Sequence, residues 1–282
     1  MIAKILNHSF NSNKPLPLKE SLSEMRFGLV NLGCGNTFHP DWDNFDLVPV
    51  EGVRPLNLLS TFPIEDASVR VCYSSHVLEH FSRSYAPRFL AEILRVLVPG
   101  GIVRIVVPDL EQITRLYLNE LDAAAQDLPG AKARHEWMTM ELLDQMTRTI
   151  SGGFMGRLWK SRPLDSKDLI VERLGQEAGR WIEYFDQKIS EGQMEPLDAK
   201  SIYDQPEPTV LDASEFRVRG EIHQWMYDRV SLSNLLRGTG FKEIQVCRAD
   251  ESRIPSFDSY HLDRDKEGRI RKPDSLFMEG IK

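Results

Sequence analysis

The chain has 282 residues, of which 41% are hydrophobic and 27% charged, with a net charge of −7. That is ordinary globular composition, with length for one α/β domain and a sizeable insertion, and its acidic balance argues against a nucleic-acid partner. Cys34, Cys72 and Cys247 are widely spaced, no apolar run reaches about 18 residues, and the N-terminus lacks a charged-then-apolar layout; reduced thiols, no membrane span and a cytoplasmic location are expected.

Residues 1–25 are polar, include Asn11-Ser12-Asn13-Lys14-Pro15, and read as an N-terminal arm. Strands are expected over 27–32, 44–48 and 53–57, with only 36–43 and 49–52 as connections, so the helices that usually separate such strands are nearly missing. The first apolar run ends in Gly33-Cys34-Gly35, where glycine allows a tight turn and close approach of a ligand to the main chain. Asp46, at the end of the second run, is placed to accept two hydrogen bonds from a ribose diol; its plainer role is a turn cap. Together these describe a pocket for an adenosine-containing cofactor. A dinucleotide fingerprint needs a third glycine and an acid about 20 residues further on. Here Gly33-Cys34-Gly35-Asn36-Thr37-Phe38 lacks that glycine, and Asp46 follows Gly33 by 13 residues. No Lys-Ser/Thr follows, which argues against a P-loop. The remaining loop suits a cofactor without pyrophosphate, and S-adenosylmethionine (SAM) fits.

A fourth strand is expected over 69–74 and a helix over 84–97, with Phe89, Leu90, Ile93, Leu94 and Leu97 on one face and Pro99-Gly100-Gly101 at its end. The β-branched run 102–107 reads as a strand buried on both faces. Residues 110–200 show helical spacing over 110–125, 133–150 and 167–189, broken at Ser151-Gly152-Gly153. They read as a helical insertion, expected to act as a lid. A loop over 195–220, a helix over 231–239, a strand over 241–248 and a last strand in 273–282 complete the chain. The expected organisation is an arm (1–25), a cofactor-binding core (26–109), an insertion with its loop (110–220) and the C-terminal part of the core (221–282).

Residues 62–80 read Phe-Pro-Ile-Glu-Asp-Ala-Ser-Val-Arg-Val-Cys-Tyr-Ser-Ser-His-Val-Leu-Glu-His, and 94–109 contain Leu-Val-Pro-Gly-Gly followed by a strand. With Gly33-Cys34-Gly35 and Asp46, this succession resembles the class I SAM-dependent methyltransferases, type 11 in particular, over roughly residues 26–109 and again over 221–247. The resemblance implies an α/β, Rossmann-like, seven-stranded and mostly parallel sheet with an antiparallel last strand, here carrying a helical insertion. It also implies SAM as cofactor. Gly33, Cys34, Gly35 and Asn36 would face its methionine portion, and Asp46 with Leu47 its ribose. Asn57 and Leu58 stand where relatives read adenine, and Ser75 and His76 where they place backbone against the cofactor.

Methyl transfer to a hydroxyl is helped by a general base, and imidazole suits that role near neutral pH. His223, in Glu221-Ile222-His223-Gln224-Trp225-Met226-Tyr227-Asp228, is the first choice and His80 the second; the plainer readings are a loop histidine bonded to backbone and a residue ordering a helix start. Some class I O-methyltransferases, those of ubiquinone biosynthesis and of small-RNA 2′-hydroxyl methylation, use Glu-x-x-Glu-His and a distant residue to hold a divalent ion. Here His76 replaces the first Glu of that pattern before Glu79-His80, and no metal is assigned. Arg148, Arg157, Lys160 and Arg162 form a basic stretch that would suit an anionic substrate such as a sugar nucleotide or phosphorylated glycan, or else form a solvated edge. Trp137, Trp159 and Trp181 read as core residues. The segment around His223 and the closing tail resemble a bacterial methyltransferase subgroup that accompanies glycan synthesis. The expected activity is methylation of a small-molecule or saccharide acceptor, at a hydroxyl. The rivals are N-methylation of a small metabolite, a SAM-binding regulator without catalysis, and a nucleotide-sugar enzyme.

Overall fold

The structure, a computed structural model, describes residues 28–204 and 208–282. The arm expected over 1–25 lies outside them. The chain forms two compact units. The first holds the residues up to Pro108 with Trp225–Arg269 and Ser275–Lys282; the second holds Asp109–Gln224 with Ile270–Asp274.

The first unit is built on a seven-stranded sheet. In chain order its strands are β1 (Leu29–Leu32), β2 (Asp43–Asp46), β3 (Val53–Pro55), β4 (Val69–Ser75), β5 (Leu97–Pro108), β6 (Lys242–Cys247) and β7 (Ser275–Ile281). Their spatial order is β3-β2-β1-β4-β5-β7-β6. Pairings from β3 to β5 are parallel, and β7 runs antiparallel to both β5 and β6. The strand order therefore reverses between β1 and β4, where ligands of open α/β sheets bind outside the carboxyl ends.

Alternation along the strands sends side chains to two cores. Val103, Ile105 and Val107 of β5 face α1 (Ala86–Val96) and α8 (Arg229–Thr239). The apolar spacing of α1 buries Phe89, Leu90 and Ile93 completely, worth about 1.5–3 kcal/mol for each side chain. Asp228 and Ser231 close a capping box at the start of α8. The helix α1 stops at Val96, so Pro99-Gly100-Gly101 lies inside the β5 segment and does not end the helix as expected.

The opposite face is covered differently, because no helix follows β1, β2 or β3. Ala249, Ile254, Phe257 and Leu262, from the segment after β6, pack there with Trp42, Val71, Tyr73, Val106 and Phe277. Arg104, fully buried on β5, pins that segment: it donates to Asp263 at 2.7 Å, to Glu279 at 2.8 Å and to the carbonyls of Arg248 and Glu251. The Tyr73 hydroxyl donates to the other oxygen of Asp263 at 2.6 Å.

The second unit is helical: α2 (Leu110–Ala125), α3 (Ala131–Thr147), α4 (Gly153–Leu158), α5 (Lys167–Leu174), α6 (Gln176–Ser190) and α7 (Val210–Val218). The expected single helix over 167–189 is split at Gly175, which has a φ of +73° and where a Cβ would lie 2.8 Å from Arg271 O. The expected loop over 195–220 contains α7, started by Thr209 accepting from Asp212 N–H. Trp137 and Trp159 are buried, as core residues should be. The basic stretch has internal partners. Arg148 pairs with Asp144 at 2.6 Å and Glu221 at 3.1 Å. Arg157 donates to the carbonyls of Ser201, Ile202 and Asp204, Arg162 is bonded to Asp186, and Lys160 lies over the Phe185 ring. A sequence window shows the local charges but not the carboxylates and carbonyls that reach them from 24 to 73 residues away.

Candidate cofactor and active site

Within the first unit, the loop after β1 is held by polar side chains where a helix would ordinarily stand. Asn31, buried on β1, donates to Thr37 O at 3.1 Å and to Asn44 Oδ1 at 3.2 Å. Asn44, buried on β2, donates to the carbonyls of His39 and Trp42. The N–H groups of Gly33 and Cys34 both point to Phe45 O. Gly33 (φ +70°) could not carry a side chain, since a Cβ would lie 2.3 Å from Val77 Cγ2. The glycine thus brings the loop after β1 into direct contact with the turn after β4.

Asp46 closes β2 as a half-buried carboxylate, with Oδ2 accepting from Gly35 N–H at 2.8 Å and Oδ1 from Val48 N–H at 3.2 Å. Two main-chain donors fix its plane, and an ionised carboxylate keeps further lone pairs for a diol. Leu47 (53% exposed), Val48 (41%) and Leu59 (59%) present apolar surface at the neighbouring strand ends. Cys34 is buried, and burial, aided by the Asp46 charge, pushes its thiol up to about 12, so it is neutral and unreactive at physiological pH.

Gly33, Cys34, Gly35, Asn36, Asp46, Leu47, Asn57, Leu58, Ser75 and His76 all lie at or just beyond the carboxyl ends of β1 to β4. Asn57 is exposed, and its Oδ1 accepts from Leu59 N–H at 3.0 Å, a local turn role. Leu58 is half-buried and its carbonyl accepts from the Tyr85 hydroxyl. His80 ends a 3-10 turn, Leu78–His80, in the same unit. His223 belongs to the second unit, buried, with its N–H on Gln145 O at 2.9 Å.

One constellation escaped the sequence reading. His76 Nε2 lies 2.8 Å from Ser275 Oγ, and His76 Nδ1 lies 3.3 Å from Glu79 Oε1. Glu79 is completely buried, and His76 holds a φ of +54°, which a histidine seldom adopts. The spacing His76-x-x-Glu79 was visible in the sequence; the partnership with Ser275 was not.

Residues 46–105 match the family model described as "Methyltransferase domain". Among curated proteins, none matches the chain. Solved structures aligned with it include a SAM-dependent methyltransferase from Thermotoga maritima, described as a possible histamine N-methyltransferase (12% identity, 90% of this chain and 81% of that one, TM-score 0.36). A SAM-dependent methyltransferase from Archaeoglobus fulgidus aligns at 10% identity over 90% of this chain and 85% of its own, with a TM-score of 0.37. The matched segment runs from the Asp46 carboxylate into β5, and these residues carry a methyltransferase domain, with SAM as its cofactor.

Proposed function

We propose that the protein transfers the methyl group of SAM to a hydroxyl of a small-molecule or saccharide acceptor. The observation that carries the cofactor half of this reading is Asp46. Its carboxylate is oriented by main-chain N–H groups at the end of β2, one strand from the reversal point of the sheet, with exposed apolar side chains beside it. Diol and purine need those two kinds of partner. Gly33, Cys34 and Gly35 would take the methionine end, Asp46 the ribose, and Leu47 and Leu58 the adenine. SAM supplies an already activated methyl group, so the chain's tasks are to place the acceptor, exclude water and take a proton. Support for a hydroxyl acceptor comes from the histidines: an alcohol, unlike a free amine, gains from a base at the moment of transfer.

Calorimetric titration with S-adenosylhomocysteine (SAH) tests the cofactor assignment. Asp46→Asn keeps the shape but loses the charge, and should weaken SAH by about 10- to 150-fold, equivalent to the ~1.5–3 kcal/mol of a hydrogen bond to a charged group. Unchanged affinity in the variant would remove Asp46 from the site. Labelled SAM with a panel of saccharides, phenols and amines then reads the acceptor class. His223→Ala and His80→Ala, assayed on that panel at unchanged SAH affinity, decide whether either histidine acts as the base.

A further inference from the structure

We infer that Ser275, His76 and Glu79 form a proton-accepting relay for the methyl acceptor, with Ser275 as the group that touches the acceptor hydroxyl. The inference rests on the methyltransferase reading above and assigns residues that reading leaves without a role.

The charge distribution favours one direction. The Glu79 carboxylate, 3.3 Å from His76 Nδ1, favours the tautomer that carries the proton on that nitrogen. Nε2 is then a bare lone pair, and at 2.8 Å it accepts from the Ser275 hydroxyl. This is a base held in one tautomer by a buried acid and aimed at a hydroxyl. Glu79 is fully buried, and Tyr227 faces the same carboxylate: burial first, then the Glu79 charge, pushes its phenol up to about 12, with Arg83 opposing.

The relay also stands where the reaction needs it. His76 is the first residue beyond β4, with its N–H on Val106 O, and the next residue, Val77, packs against Gly33 of the loop after β1. Ser275 opens β7 opposite Pro108, the last residue of β5. The ends of β1, β4, β5 and β7 thus bring the Gly33 loop, His76 and Ser275 to one edge of the sheet. The His76 side chain is 16% exposed and Ser275 9%, while Glu79 lies completely buried beneath them. The left-handed backbone of His76 is the kind of local cost that persists where a side chain must be aimed.

The step balances as follows. The acceptor oxygen forms its bond to the methyl carbon as the carbon–sulfur bond breaks, and that electron pair stays on sulfur, giving SAH. The acceptor's proton passes to Ser275 Oγ, the proton of Ser275 passes to His76 Nε2, and Glu79 stabilises the resulting imidazolium. Release of that proton to water resets the relay.

The test is the protonation pattern of His76, read from ring 15N shifts of the SAH-bound protein at about pH 7.5. His76→Asn assigns the resonance; asparagine tolerates the same left-handed backbone. The proposal expects Nδ1–H with Nε2 unprotonated, the Nδ1–H preference weakened in Glu79→Gln, and unchanged wild-type tautomer in Ser275→Ala. Nε2–H, or an imidazolium with both nitrogens protonated, leaves no site for the acceptor's proton and overturns the relay. If His76→Asn fails to fold, Ser275→Ala still assigns His76 by the shift change at Nε2. Failure of wild type to bind SAH would instead strike the methyltransferase reading itself.

Discussion

Replacing Arg104 with methionine should destabilise the first unit severely. The side chain is fully buried between Asp263 and Glu279, themselves 4% and 0% exposed, and lies over Phe257 at 4.7 Å. Methionine fills much of the space but leaves Asp263 without its cation and Glu279 with Arg253 alone at 3.4 Å, and it removes donors from the carbonyls of Arg248 and Glu251. Breaking a buried ion pair by removing one partner costs about 3–5 kcal/mol. Against a total stability of about 5–15 kcal/mol, the variant would sit near its unfolding threshold. Burial already pushes the Asp263 carboxyl up, opposed by Arg104 and the Tyr73 hydroxyl, so removing Arg104 pushes it further. An acid with a raised folded-state pKa binds its proton more tightly in the native state. The penalty is therefore absent below the unfolded value of about 3.9 and grows as pH rises through the folded value. Urea titrations at several pH values should show Arg104→Met losing more stability near pH 8 than near pH 5, at an unchanged m-value. The triple variant Arg104→Met, Asp263→Asn, Glu279→Gln should recover most of the loss. A single-variant cost below about 1 kcal/mol, or no recovery in the triple variant, would refute the idea that this network holds the segment after β6 on the sheet.

Gly33→Ala should cost about 2–5 kcal/mol, from a left-handed backbone and a Cβ placed 2.3 Å from Val77 Cγ2, and Val77→Ala in the same chain should return the steric part; thermal unfolding measures both. Asp228→Ala should cost about 1 kcal/mol by removing the cap of α8. Hydrogen bonds from the Ser231 and Val230 N–H groups, with the Ser231 hydroxyl, hold the Asp228 carboxyl below its ordinary value, so this contribution is complete above about pH 3.9 and disappears as pH falls through the folded value. Wild type and variant should therefore converge in acid; a constant gap would place the cost elsewhere.

What the sequence disclosed and what it hid divide along a physical line. The strands, Gly33-Cys34-Gly35 and Asp46 are legible because each rests on neighbours a few residues away: an apolar run, a turn and an acid at a strand end. The antiparallel last strand was expected from the resemblance, and β7 pairs as expected. Asn31 and Asn44 look like polar interruptions of short strands, yet they hold the loop after β1, because buried amides must find partners and the loop carbonyls supply them. The basic stretch 148–162 stayed open between an anion site and a solvated edge for the converse reason: guanidinium groups bonded to Asp186 and Glu221 are indistinguishable, in one dimension, from groups awaiting a ligand.

The pairing of His76 with Ser275 spans 199 residues, and no periodicity links them. It exists because β7 enters the sheet antiparallel between β5 and β6, which puts the start of β7 at the same edge as the end of β4. A parallel strand in that place would bring its carboxyl end to the edge and its first residue to the far side. The reversed strand thus has a chemical consequence: it delivers a hydroxyl from the chain's last segment to an imidazole whose other nitrogen lies 3.3 Å from a buried carboxylate. The same unit packs the segment after β6 on the face that lacks helices, and Tyr260 of that segment touches both His39 and Trp42 in the loop after β1. The loop after β1 and the pairing of His76 with Ser275 are therefore both braced by residues after β6 in the same unit. Loss of SAH affinity should accompany loosening of that segment in Arg104→Met, even at temperatures where the sheet remains folded.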